Sequence, residues 1–332
     1  MRAIQCKEFG PPESLVLEEV PALAPGAGQV VIRVHACGVN FPDTLIIQGK
    51  YQFRPPFPFA PGTEAAGVIT AVGAGVTQVP VGARVIALVP WGSFAEEILA
   101  AAVHVFPLPP GLDFVTGASL PLTYGTAYHA LVDRAQIQAG ETLLVLGAAG
   151  GIGLATIQLG KVLGARVIAA ASSAERLAVC RAQGADELID YATEDLRERV
   201  KALTGGQGVD VVCDPVGGSY SEPAIRALAW GGRFLVIGFA AGDIPRIPLN
   251  LPLLKSSAIL GVFYGEFIQR EPQRSQQQMA QLLDWAQAGQ LKPYISARYA
   301  LDRAPAALRD LMNRAVTGKA VLVLSPARTS AC

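Results

Sequence analysis

Leu143-Leu144-Val145-Leu146-Gly147-Ala148-Ala149-Gly150-Gly151-Ile152-Gly153 is the stretch that decides the fold. An apolar strand runs into a glycine-rich turn, and a helix-like segment follows directly, to Leu163. Gly150 and Gly151 allow a backbone to approach a pyrophosphate, and Gly153 lets the helix sit close to the strand. The phosphates then lie on the helix N-terminus, where free N–H groups and the dipole favour anions, with Ile152 in the first turn. A second strand, Arg166 to Ala171, completes strand, turn, helix and strand. That context makes the glycine spacing specific for a dinucleotide.

Working outward, strand-like apolar runs recur at 143–146, 166–171, 209–213, 233–238 and 258–264. Helix-like segments at 153–163, 174–183, 194–203 and 221–229 separate them, and Gly164, Gly184 and Gly231 stand where helix C-caps are expected. Near-continuous apolar strands mean a parallel sheet covered on both faces, a doubly wound domain. Residues 1 to about 120 read differently. Gln29 to Ala36 alternates, with Val30, Ile32 and Val34 on one face and Arg33 and His35 on the other, and Val68 to Val72 and Arg84 to Val89 are further strands. Phe53 to Pro61 holds four prolines and reads as an irregular loop. After about 266 come two helices, Gln276 to Ala288 and Ala304 to Ala315, and a closing strand, Lys319 to Leu324.

The 332 residues are enough for two domains, and 51% hydrophobic against 16% charged residues supports a large core. Lys plus Arg equals Asp plus Glu at 27 each, so nothing marks a nucleic-acid partner. No apolar run has the length of a membrane span, and the N-terminus carries no signal-peptide pattern. Cys6, Cys37, Cys180, Cys213 and Cys332 show no paired spacing, which fits a reducing cytoplasm.

Five signatures in this order resemble the medium-chain dehydrogenase/reductase superfamily, above all its zinc-free quinone oxidoreductase branch. They are Cys37-Gly38-Val39-Asn40-Phe41-Pro42-Asp43, Pro61-Gly62-Thr63-Glu64-Ala65-Ala66-Gly67-Val68, Pro121-Leu122-Thr123-Tyr124-Gly125-Thr126-Ala127, the Gly147–Gly153 turn, and Gly184-Ala185-Asp186 through Ile189-Asp190-Tyr191. The resemblance implies an α/β protein in which a Rossmann cofactor domain, 123–265, is inserted into a β-rich, GroES-like catalytic domain built from 1–122 and 266–332. It places the site in the cleft. The apolar run 258–264 is expected at the edge of the cofactor-domain sheet, a template for pairing, so a homodimer joined there is expected.

The zinc-dependent relatives hold a catalytic metal with a Cys, a His and a second Cys. Here the first position is Asn40 and the His position is Thr63; no Cys lies between 115 and 122, and the four-Cys structural lobe is missing. No combination of His35, Cys37 and His104 restores metal-ligand spacing. The reading is therefore zinc-free.

An NAD site usually ends its second strand with an acid on the ribose 2′-OH. This strand ends Ala169-Ala170-Ala171-Ser172-Ser173, with Arg176 following. Small hydroxyls and a cation suit a 2′-phosphate, and the resemblance adds Tyr191, so the expected cofactor is NADPH. The competing reading makes Ser172 and Ser173 helix caps and Arg176 a solvated charge.

Without zinc, simple alcohol–ketone interconversion loses its usual alkoxide stabiliser. The resemblance implies instead a reductase of quinones or of carbon–carbon double bonds conjugated to a carbonyl, acceptors that delocalise the incoming charge themselves. The protein then needs orientation and one or two hydrogen-bond donors. Candidate catalytic residues are Asn40, Tyr51 and Thr123. Asn40 and Thr126 are also candidates for the nicotinamide side, with Gly238, Phe239 and Phe263 as pocket walls; each has an ordinary structural reading as a turn, cap or core residue. Asp43 and Glu64 are expected to bond neighbouring backbone or Arg. His35, His104 and His129 read as structural. Two other functions stay open: an enoyl-thioester reductase, for which Lys50, Arg54 and Arg270 are possible phosphate contacts, and a cofactor-binding structural or sensor protein with little turnover.

Overall fold

The structure is a computed structural model that describes residues 1–324. Cys332, with the end of the expected C-terminal part 266–332, lies outside the described residues. The chain divides into two compact units. The first comprises Met1–Leu122, Ile268–Gly289 and the chain from Pro293 onward; the second comprises Thr123–Phe267 and Gln290–Lys292.

The first unit is built on a seven-stranded sheet in the order Ile295–Tyr299, Lys319–Val323, Gln29–Val39, Glu64–Val72, Arg84–Leu88 and Val105–Pro107, with Glu97–Ala101 also paired to Gln29–Val39. The long strand Gln29–Val39 is its spine. Its first half alternates as expected, but the strand runs on through Cys37 and Gly38 to Val39, where the closing strand pairs with it and both faces are buried. Register sets up the site. The closing strand is antiparallel to the spine with Ala320 opposite Val39 and Leu322 opposite Cys37, so Lys319 falls beside Asn40. On the other side Ala65 pairs with Cys37, which brings Glu64 beside Gly38.

The second unit holds a six-stranded, all-parallel sheet in the order Glu187–Asp190, Arg166–Ala171, Thr142–Val145, Val209–Asp214, Leu228–Val236, Ala258–Gly261. In chain order this is 3-2-1-4-5-6, so the direction of winding reverses between Thr142–Val145 and Val209–Asp214. Such a switch point is where doubly wound sheets receive ligands, at the carboxyl ends of the strands. Leu143, Leu144 and Val145 are fully buried, as a central parallel strand requires. Gly164 and Gly184 stand at positive φ directly after their helices, as left-handed C-caps.

Two local expectations change. Helix Ser221–Arg226 ends earlier than 229, because Leu228 already pairs with Val209; residues 229–232 then bulge out of the ladder, and Gly231 lies in that bulge and not at a helix end. The outer strand stops at Gly261, and helix Tyr264–Arg270 starts at the residue after Phe263. The three residues Gln290–Lys292 join the second unit for a visible reason. The buried Gln158 side chain accepts from the Lys292 N–H at 2.8 Å and donates to the Lys292 carbonyl at 2.8 Å, imitating one rung of a strand ladder.

Candidate active site

In the first unit the candidate Asn40 sits on a buried carboxylate. Glu64 is fully inaccessible. Its Oε1 accepts from Lys319 Nζ at 2.6 Å and from Asn40 Nδ2 at 2.8 Å, while Oε2 accepts from the Leu122 N–H at 2.7 Å. Lys319 Nζ also donates to Asn40 Oδ1 at 2.7 Å. Asn40, Glu64 and Lys319 thus form a closed triangle, and the carboxylate also holds the amino end of helix Pro121–Tyr128. Gly38 is part of the design: a Cβ there would overlap Glu64 Oε1. Burial of an ion pair is tolerated only when the remaining polar atoms are also satisfied, and here they are.

Glu64 thus has the expected backbone partner in the Leu122 N–H, while its cation is Lys319 and not an Arg. Asp43 does follow the expectation in part, since its Oδ2 accepts from the Asn40 N–H at 2.8 Å. Its Oδ1 is buried with no hydrogen-bond partner among the described residues. Burial outweighs the Asn40 N–H and the Lys319 charge and raises the Asp43 pKa to about 7. The same environment pushes the buried Cys37 thiol well up, so Cys37 is no thiolate nucleophile. Tyr51 is half-buried against the core with its ring edge-on to Phe53, and burial and the Asp43 charge raise its pKa, keeping the phenol protonated as a donor.

In the second unit the glycine turn closes on itself, with the Gly150 N–H donating to the Gly147 carbonyl at 3.0 Å. Gly150 is the N-cap of the twelve-residue helix Gly151–Val162, which carries Ile152 in its first turn. A Cβ at Gly153 would lie 2.5 Å from the carbonyl oxygens of Gly147 and Ala148, so only glycine lets the helix pack here. Next door, Ser173 caps helix Ala174–Ala182, whereas Ser172 is left outside the helix with Arg176 Nη1 at 3.4 Å from its hydroxyl. Tyr191 follows the neighbouring strand, its N–H bonded to the Ala171 carbonyl and its ring against Tyr220 at 4.4 Å. Ser172, Arg176 and Tyr191 thus stand at the carboxyl ends of two adjacent strands.

Asp214, singled out by no sequence argument, organises the switch point. It is buried, accepts from the N–H groups of Val216 and Gly217 at 2.8 Å each, and takes the Ser221 hydroxyl at 2.6 Å. The loop it fixes pairs with the next one, Ala240 and Ala241 donating to Pro215 and Val216. Gly238 opens that second loop, and Phe239 packs so closely on Gly217 that a Cβ there would stand 2.8 Å from its ring. Phe239 and Phe263 are both partly exposed, not core. Thr123 and Thr126 are buried in helix Pro121–Tyr128.

Known proteins agree with this architecture. Residues 26–110 match the alcohol dehydrogenase GroES-like domain family and residues 151–288 the zinc-binding dehydrogenase family. The chain is 39% identical over 325 residues to the quinone oxidoreductase-like protein 2 homolog of Nematostella vectensis, covering 97% of this chain and 88% of that one. It is 37% identical over 328 residues to the quinone oxidoreductase of Rattus norvegicus, covering 98% of each. The crystal structure of Escherichia coli quinone oxidoreductase complexed with NADPH superposes with a TM-score of 0.92 at 30% identity, covering 97% of this chain and all of that one. A GroES-like sheet and a doubly wound cofactor unit define an oxidoreductase. The chain belongs to the quinone oxidoreductase branch of the medium-chain dehydrogenase/reductase superfamily.

The zinc named by the matched family does not fit these residues. Asn40 already spends its amide on an ammonium and a carboxylate, and no three His, Cys, Asp or Glu side chains converge on a metal position among the described residues. A dinucleotide does fit. Helix Gly151–Val162 starts from Gly150 with no side-chain cap hydrogen bond, which leaves its amino end to an anion, and the neighbouring strand ends in the hydroxyls of Ser172 and Ser173.

Proposed function

We propose that the chain is an NADPH-dependent, zinc-independent reductase of quinones or α,β-unsaturated carbonyls. The observation that carries this reading is the end of the strand Arg166–Ala171. Ser172, Arg176 and Tyr191 assemble there, and no carboxylate stands where a ribose 2′-OH would be held. Arg176 and the hydroxyls bind a 2′-phosphate through charge-assisted hydrogen bonds, each contributing about 1.5–3 kcal/mol. Gly150, Gly151, Ile152 and Gly153 hold the pyrophosphate on the helix N-terminus. Bound NADPH supplies a hydride. Asn40, Tyr51, Thr123 and Thr126 orient the acceptor and nicotinamide by hydrogen bonding, and Gly238, Phe239 and Phe263 wall the nicotinamide. No side chain is required as a nucleophile, because a conjugated acceptor carries its own developing charge.

Three further parts belong to this proposal. The working form is a homodimer joined along the outer strand Ala258–Gly261. The compartment is the cytoplasm, in keeping with the four free, buried cysteines among the described residues. No described helix is long and apolar enough to cross a membrane.

The test is cofactor oxidation by the purified protein against 1,4-benzoquinone, an enal, a saturated alcohol and a crotonyl thioester, with both cofactors and with a chelator. Turnover of quinone or enal with NADPH, unaffected by the chelator, is expected. Arg176→Ala should raise the NADPH KM by roughly tenfold or more and leave that for NADH nearly unchanged. Efficient reduction of the thioester alone would replace this reading with an enoyl-thioester reductase, and no turnover at all would favour a binding role.

A further inference from the structure

We propose that Lys319 is a positioning residue for this reduction: its ammonium fixes which way the Asn40 amide faces. The inference rests on the reductase reading above. A primary amide has two ends of nearly equal shape, one a donor and one an acceptor, and its hydrogen-bond partners decide which points where. Lys319 Nζ has donors only and meets Oδ1 at 2.7 Å; the Glu64 carboxylate has acceptors only and meets Nδ2 at 2.8 Å. The flipped amide would set N–H groups against the ammonium and oxygen against the carboxylate. One orientation is therefore enforced before any ligand arrives.

The backbone makes this arrangement rigid. Asn40 directly follows the spine strand as the N-cap of helix Phe41–Ile46, and Lys319 begins the strand beside it, so the contact is set by the Val39–Ala320 register and not by a flexible loop. Lys319 is 3% exposed and Glu64 is fully buried. The ammonium also balances the carboxylate that holds the Leu122 N–H, one residue before Thr123. Pre-set donors act without reorganising during the reaction, which is how a site lacking a metal gains from a distant cation.

Lys319→Met keeps the length of the stem and removes the charge. It is expected to lower kcat with 1,4-benzoquinone by roughly tenfold while changing NADPH affinity by less than about threefold. Combined with Asn40→Ala it should add little beyond Asn40→Ala alone, because both remove one effect. Losses that multiply fully in the double variant would overturn the proposal. Because Lys319→Met leaves a buried carboxylate unbalanced and threatens folding, Lys319→Met with Glu64→Gln is the second variant; it is neutral and should show the same turnover loss, and full turnover would refute the role. A third measurement does not depend on activity. The chain has three asparagines, at 40, 250 and 313. With asparagine alone labelled with nitrogen-15, the Asn40 side-chain pair should move in the neutral double variant while the other two stay. An unmoved Asn40 pair sinks the proposal, whereas a wild type without quinone or enone turnover sinks only the reductase reading.

Discussion

Asp43 shows how one residue turns burial into a pH dependence. Its carboxyl titrates at about 7 in the folded chain, against about 4 for an unfolded aspartate. The folded state therefore holds more protons than the unfolded state between these values, and stability falls as pH rises through that window. The Tm of the wild type should drop relative to Asp43→Asn from pH 5 to pH 8 and run parallel to it below about pH 4; parallel curves throughout would refute the assignment. At this scale the sequence was only half legible. Asn40, Asp43 and Glu64 stood out in local motifs, but Lys319 did not, since its partners lie 279 and 255 residues away. The one available signal was a lysine heading an otherwise apolar strand, Lys319-Ala320-Val321-Leu322-Val323. Asp214 was hidden likewise, as its partners are formed by a loop conformation with no local code.

Elements were most legible where their chemistry is local. The glycine turn, its strand and its helix follow from adjacent residues, and the crowding at Gly153 gives that reading a physical test. Gly153→Ala must open the strand–helix packing to relieve a 2.5 Å approach. It should cost roughly 1–3 kcal/mol of stability by overpacking and weaken NADPH binding tenfold or more, measured by thermal unfolding and fluorescence titration. Unchanged binding would mean that the helix can shift without disturbing the phosphate cradle. Elements were least legible where a long-range pairing overrode a local pattern. The apolar run after Arg226 continues a helical pattern, but Leu228 is captured by Val209 and the bulge of 229–232 follows. The spine strand outran its alternation because from Ala36 to Val39 both of its faces are covered, and the period vanishes.

For the molecule as a whole, the outer strand Ala258–Gly261 leaves one edge of the parallel sheet open. Trp230, Leu249, Leu253 and Leu254 stand exposed in the same unit, an unusual amount of large apolar surface. Light scattering at micromolar concentration should give about twice the 34.7 kDa chain mass. Ile259→Lys should shift the population toward monomer with NADPH binding retained; a wild type that is monomeric throughout would end the dimer reading. A change from alternating to continuous apolar strands was legible at about 121. The return was less so, because the Gln158 clamp on Lys292 is a side-chain contact across 134 residues. The nesting of the two units also orders events during synthesis. Glu64 emerges 255 residues before its cation, roughly ten to fifty seconds at ordinary elongation rates. Throughout that interval the nascent first unit carries a carboxylate that has its Asn40 and Leu122 donors but no cation to balance its charge. The unit whose synthesis starts second is thus the first with nearly all its residues available, and the first unit cannot complete its buried pair until Lys319 has been made.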